Sequence, residues 1–193
     1  MIALVRHPTS PTGACEVAAL AARDGATHLA LRWVLHGAVD AVRVPAPGPL
    51  QRGARLWEHT CVEAFIAAAD AAGYVELNFS PAPAWAAYGF AAYRAPRPCS
   101  ATMPTPRIAV RRDAGVLAID VAVEFAALDR AFAAAPLRIG LAAVIEAQDG
   151  GLSYWALRHP SAKPDFHHPA GFTLRLPPLR DADGAAGRGV RRR

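Results

Sequence analysis

Short runs in which apolar and polar side chains alternate constrain the fold of this chain more than any other feature of its sequence. VLAIDVAVEF, residues 116–125, sets five large apolar side chains opposite Asp120 and Glu124. GYVELNFS, residues 73–80, does the same opposite Glu76 and Asn78. A period of two is the pattern of a strand buried on one face. The same pattern recurs in HLALRWVLHG, HTCVEAFI, RIGLAAVIEA, LSYWALRH and GFTLRL.

Turn-forming residues separate these runs. They lie at Asp24-Gly25 and within residues 70–73, 111–115 and 148–151, where Asp149-Gly150 is the clearest hairpin signal. Many short strands joined by frequent turns predict an all-β fold, an antiparallel β-sandwich with short helical turns. A helical turn is expected within residues 124–134, and EVAALAARD near the N-terminus fits either a helix or a strand.

The length of 193 residues suits one domain, predicted here for residues 1–178. Residues 179–193 lack an apolar period and carry RGVRRR, so they are expected to form a flexible basic tail. The proline-rich stretches at residues 44–49 and 95–106 are expected to be loops.

Composition narrows the classes of function. No window approaches the roughly 18 apolar residues of a membrane helix, and the start of the chain does not read as a signal peptide. Three cysteines without paired spacing fit a reducing compartment, so a cytoplasmic location is expected. The net charge of +5 lies partly in the basic tail, and no aromatic-laced basic groove is visible, so nucleic-acid binding is not favoured.

LWEHTCVEAF, residues 56–65, is the first candidate for a binding site. If the strand begins near Trp57, then Trp57, His59, Cys61 and Glu63 share one face. An indole can stack on the apolar face of a sugar ring while a carboxylate binds its hydroxyl groups. Alternatively, Trp57 is a core residue and Glu63 pairs with an arginine.

Two further strands offer polar and aromatic partners. Asn78 lies on the polar face of the strand that follows Glu63, beside Glu76. In SYWALRHP the alternation puts Trp155 on one face and Arg158 on the other, so a site built from both requires an irregular strand. SPAPAWAAYGFAAYR, residues 80–94, is expected to be a loop or irregular turn that carries further aromatic side chains.

Metal binding and catalysis are alternative interpretations of the same residues. His59, Cys61 and Glu63 could ligate zinc or iron, whereas His167 and His168 are adjacent and point apart on an extended chain. A cysteine–histidine nucleophile is not favoured, because side chains two residues apart on a strand stand roughly 6–7 Å apart. Neither a nucleophile elbow nor a phosphate-binding loop is present. We therefore assign no metal ligand, cofactor or catalytic residue, and binding is favoured over enzymatic activity.

As an ordered set, LWEHTCVEAFI, YVELNFSPAPAWAAYGF, LAIDVAVEFAAL and YWALRHPSAKPDFHHPAGFTLRL resemble the DOMON-like proteins related to family 9 carbohydrate-binding modules. The resemblance spans roughly residues 29–176. It implies a β-sandwich that holds a small carbohydrate or sugar derivative between two tryptophans, with charged and amide side chains on the hydroxyl groups. Trp57 and Glu63 match the first tryptophan and its carboxylate, Trp155 is the candidate second tryptophan, and Asn78 and Arg158 are candidate hydroxyl partners.

The resemblance also allows a ligand other than a sugar. DOMON relatives bind heme or sugars, and a heme- or metal-binding protein would use residues such as Met103, His59, His159, His167 and His168. KPDFHHPAGF, residues 163–172, matches the closing segment of the family before the last strand. One of its two histidines is expected to join this segment to the sheet by a hydrogen bond.

Overall fold

The protein is described from a computed structural model, for residues 1–13, 15–25, 27–46, 48–98, 105–124 and 131–178. The expected tail at 179–193, Met103 and part of the proline-rich stretch at 95–106 lie outside these residues. Within them, no helix is long and apolar enough to cross a membrane.

The described residues are almost entirely β-strands, as the alternating runs predict. In chain order the strands are β1 (Ile2–Ala3), β2 (Val5–Arg6), β3 (Cys15–Asp24), β4 (His28–Gly37), β5 (Gln51–Arg52), β6 (Cys61–Ala68), β7 (Tyr74–Ser80), β8 (Ala84–Ala92), β9 (Ala95–Arg97), β10 (Arg107–Asp113), β11 (Val116–Glu124), β12 (Leu137–Glu146), β13 (Leu152–Ala156) and β14 (Leu174–Leu176). One turn of α-helix lies at Ala131–Ala134, inside the range predicted for a helical turn. EVAALAARD is part of β3 and is therefore a strand.

The strands form two sheets that pack face to face. The smaller sheet has the order β1-β3-β4-β11-β10, and the larger has the order β2-β13-β12-β6-β7-β8-β5, with β14 beside β12 and β9 beside β8. Paired strands are antiparallel except β5 with β8. The fold is the predicted β-sandwich.

Each predicted turn joins two antiparallel strands. β3 pairs with β4, β6 with β7, β10 with β11 and β12 with β13. Gly25, Gly115 and Gly150 have φ values of 66°, 73° and 87°, a region that glycine adopts without a steric penalty. The residues of these turns therefore determine where the hairpins form.

The core lies between the two sheets. Trp33 on β4 and Phe79 on β7 meet across it, with ring centroids 6.2 Å apart. Trp85 also belongs to this core, because residues 84–92 form the regular strand β8 and not the irregular turn expected from the sequence. The period of two in AWAAYGF was obscured by its alanines, which occupy both faces.

The larger sheet is also covered on part of its outer face. Phe65, Tyr74 and Phe172 form a second buried cluster there, with Phe90 and Phe166 packed against it. Every residue of β7 is buried as a result. The chain that follows β13 supplies this cover.

Candidate functional site

A cavity of about 470 Å³ lies on the outer face of the larger sheet, beside the second apolar cluster. Its size falls in the range of small-molecule sites, about 300–1,000 Å³. Side chains of the sheet form its floor, and residues of the closing segment form its roof. It is lined by Trp57, Glu63, Glu76, Tyr88, Phe90, Arg94, Val144, Tyr154, Pro164, Phe166 and His167.

Strand register explains how the floor is assembled. Tyr154 on β13 pairs with Val144 on β12, and Glu76 on β7 pairs with Tyr88 on β8. β6 lies between β12 and β7 and contributes Glu63. Aromatic side chains therefore lie at both ends of a diagonal line across five strands, and the two carboxylates lie between them. At about 4.8 Å per strand, the backbones at the two ends are roughly 19 Å apart.

The two floor carboxylates are buried. Glu63 is 3% exposed and Glu76 is 5% exposed. Burial raises the pKa of Glu63 well above its ordinary value, and the nearby charge of Glu76 raises it further. Burial also raises the pKa of Glu76, although a hydrogen bond from Asn78 and the charge of Arg94 oppose the increase. The floor thus holds two neighbouring carboxyl groups where water is largely excluded and where their charged forms are disfavoured.

His167 connects the roof to the floor. Its Nδ1 lies 2.8 Å from the Tyr74 hydroxyl, and its Nε2 lies 3.6 Å from Oε2 of Glu76. The backbone N–H of Arg94 donates to the same hydroxyl oxygen, so Tyr74 can donate its own proton to Nδ1. Burial and the charge of Arg94 lower the pKa of His167 to about 4, so the imidazole is neutral at pH 7. This contact confirms that one histidine of the pair joins the closing segment to the sheet.

Asp165 fixes the other end of the closing segment. Its carboxylate accepts hydrogen bonds from the Tyr93 hydroxyl at 2.6 Å and from the Arg94 guanidinium at 2.8 Å. Burial alone raises the pKa of Asp165, but these hydrogen bonds outweigh it and hold the pKa below its ordinary value. Arg94 has a φ of 51°, which is unfavourable for a side chain with a Cβ. The tight turn after β8 thus brings the guanidinium to the cavity at a conformational cost.

Trp57 is the aromatic residue that the cavity leaves most open to a ligand. It lies in a turn of 3-10 helix, Leu56–Glu58, and is 39% exposed, with its ring 5.7 Å from that of Tyr88. The assumption that the strand begins near Trp57 is wrong, because β6 begins at Cys61. Trp57 and Glu63 nevertheless line the same cavity. Arg55, at a φ of 54°, leads into the turn that carries Trp57.

The other three predicted site residues are placed elsewhere. Trp155 is 8% exposed and packs in the core between the sheets, where Tyr154 takes the cavity-facing position of the same strand. Arg158 follows β13, is exposed and does not line the cavity. Asn78 lies beside Glu63 on the same face of the sheet but is fully buried and does not line the cavity; its amide donates to Oε1 of Glu76 at 2.9 Å. Trp57 and Trp155 therefore do not flank one cleft.

Among the described residues, the histidines that were candidate metal or heme ligands have other partners. His59 Nδ1 lies 2.9 Å from Glu146, and His159 Nε2 donates to the Val5 carbonyl at 2.8 Å. His168 Nδ1 accepts from the Ala170 N–H. No group of three potential metal ligands occurs in the described part of the chain.

Several cavity residues are not among those predicted from the sequence. Tyr88 and Tyr154 each lie on the outward face of a strand, so the alternation contains the signal once the inward face is known. Glu76, which the alternation places on the polar face beside Asn78, does line the cavity with Glu63. Arg94 and Phe166 lie in connecting segments, for which the sequence carries no comparable periodic signal.

The fold and cavity define a β-sandwich domain with a concave site on the outer face of one sheet. By sequence, no known protein family and no characterised protein is matched by the chain. In structure it is similar to a proposed carbohydrate-binding protein from Bacteroides uniformis, with a TM-score of 0.65, 19% identity, and coverage of 89% of this chain and 83% of that one.

It is also similar to a family 9 carbohydrate-binding module from Caldicellulosiruptor kristjanssonii. The complex of that module with cellotriose gives a TM-score of 0.59 at 7% identity, covering 95% of this chain and 86% of the other. The complex with glucose gives 0.58 at 5% identity, covering 92% and 83%. These similarities establish the shared β-sandwich fold.

Proposed function

We propose that this protein is a non-catalytic domain that binds a small carbohydrate or sugar derivative in the cavity on the larger sheet. The observation that carries the proposal is the pairing of the half-exposed Trp57 with the buried carboxylate of Glu63 in one cavity. A sugar ring has an apolar face for the indole and hydroxyl groups for a carboxylate, so it satisfies both. The structural neighbours that contain glucose and cellotriose support this assignment. We also propose that this domain is related to the family 9 carbohydrate-binding modules.

The width of the site indicates how the sugar is held. Trp57 and Tyr88 form one aromatic group, and Tyr154 and Phe166, with centroids 6.2 Å apart, form another across the floor. A single sugar ring can stack on Trp57, the most exposed aromatic side chain of the cavity. A disaccharide can extend towards Tyr154.

Tryptophan fluorescence provides a direct test. Of the four tryptophans, Trp33, Trp85 and Trp155 are at most 8% exposed, whereas Trp57 is 39% exposed. Acrylamide quenching should therefore report mainly on Trp57, and a bound sugar should protect it. A panel of mono- and disaccharides is titrated into the wild type and into Trp57→Ala, with Leu20→Ala on the smaller sheet as the control. A panel that changes neither the quenching nor the melting temperature of the wild type refutes the proposal.

A further inference from the structure

The floor of the cavity offers hydrogen-bond acceptors that lack donors. Oε1 of Glu63 and Oδ1 of Asn78, its partner across the strand pair, are both buried without a hydrogen bond. Glu63 lines the cavity and is 97% buried by its 3% exposure. A buried acceptor is costly unless a donor reaches it. The missing donor has to come from a ligand, from a bound proton or from water in the cavity.

Neither basic side chain that lines the cavity provides a free positive charge for Glu63. Arg94 is bound to Asp165 at 2.8 Å, and His167 is neutral because burial and the charge of Arg94 lower its pKa to about 4. Among the described residues that line the cavity, no further basic side chain is present. Glu63 consequently has no ion-pair partner in the described structure, and no cation compensates the charge of its ionised form.

We infer that the ligand carries a protonated amine, as an amino sugar does, and that this ammonium group binds at the buried carboxylate of Glu63 next to Glu76. The inference rests on the proposed function, since it adds a charged group to a sugar that stacks on Trp57. An ammonium group provides three donors and no acceptor, which matches the unpaired acceptor oxygen of Glu63. It also compensates the charge of an ionised Glu63, which a neutral hydroxyl group cannot do. Burial and the charge of Glu76 raise the pKa of Glu63, which agrees with a carboxyl group that has no cation beside it.

Calorimetric titration of matched sugars tests the inference. Glucosamine and 6-amino-6-deoxyglucose place the amine at different ring positions, glucose lacks it, and N-acetylglucosamine removes its charge. At pH 7 and low salt the wild type should bind at least one of the two amino sugars about tenfold more tightly than glucose, or about 1.4 kcal/mol. N-acetylglucosamine should lose that advantage. The preference should weaken as salt is added, because the interaction is ionic.

A pair of variants locates the amine. Glu63→Gln keeps the shape and removes the charge, so the preference for the amino sugar should fall to within about twofold of glucose. Glu16→Gln makes the same change on the exposed face of the smaller sheet and should retain the wild-type preference. Melting curves confirm that both variants fold, and the wild-type sugar series remains decisive if Glu63→Gln does not.

The outcomes separate the two proposals. If glucose or N-acetylglucosamine binds as tightly as both amino sugars, the amine inference is overturned and the sugar-binding function stands. If the amine preference survives in Glu63→Gln, its assignment to Glu63 is wrong. If no sugar binds, both proposals fail.

Discussion

Acid titration of His167 should be visible as a loss of stability between pH 6.5 and pH 4. The pKa of the neutral imidazole is lowered from 6.5 to about 4 in the folded protein, so the unfolded chain binds the proton more readily. The contribution of this residue to stability is therefore complete above pH 6.5 and is lost as the pH falls towards 4. The full difference corresponds to about 3 kcal/mol, and solvent near the partly exposed ring reduces our expectation to about 2 kcal/mol.

Urea denaturation of the wild type and of His167→Gln, repeated from pH 7.5 to pH 4.5, measures this contribution. The groups that face the ring are Tyr74, Glu76, Arg94 and Asp165, and the raised pKa of Glu76 acts in the opposite direction. The difference between the two proteins removes most of that background. We expect the wild type to lose most of the 2 kcal/mol relative to His167→Gln as the pH falls.

The surface variant His36→Gln controls for the loss of an imidazole that does not contact the closing segment. Parallel pH curves for the wild type and His167→Gln would refute the assignment of a buried, neutral histidine.

Three other substitutions probe the core, the closing segment and its attachment, each by urea denaturation. Trp155→Ala should lower the free energy of unfolding by about 3–5 kcal/mol while sugar affinity is retained, because Trp155 is a core residue outside the cavity; a loss of affinity in a folded variant would contradict this. Gly140→Ala should cost about 1–3 kcal/mol, since its Cβ would lie 2.8 Å from Cδ1 of Phe172. Gly48→Ala, whose Cβ meets nothing within 4 Å, is its control. Asp165→Asn should cost about 1 kcal/mol at pH 7, and the deficit should shrink as the pH falls through the lowered pKa of Asp165; a constant deficit would argue against the ion pair with Arg94.

The sequence predicts the strands and hairpins well because both are local. An alternating run needs only its own residues to define two faces, and a turn such as Asp149-Gly150 needs only its own backbone freedom. The alternation does not say which face is inward when both faces are apolar enough to be buried. In β13 the larger side chain, Trp155, was proposed for the ligand, but the core between the sheets takes it and the cavity takes Tyr154.

The remaining part of the site depends on contacts between segments far apart in the chain. Trp57 reaches the cavity through a 3-10 turn that begins after Arg55, a residue with a positive φ. The sequence contains no signal for that backbone conformation. His167 reaches Tyr74 across 93 residues. Asn78 is a predicted ligand partner, but it is fully buried outside the cavity lining and holds Glu76 by a hydrogen bond. These roles follow from register and from the path of the closing segment.

The outer face of the larger sheet joins two surfaces of opposite character, and this contrast argues for a binding role. Beside the cavity, Phe65, Phe172 and their neighbours show that this face can be covered with closely packed aromatic side chains. On the same strands, Glu63 and Glu76 hold buried carboxylates, one with an unpaired oxygen. Buried charge without a partner lowers stability, and apolar side chains of similar size would avoid that cost. A fold that packs one half of a surface this well and leaves carboxylates in the other half is consistent with a site that a ligand completes.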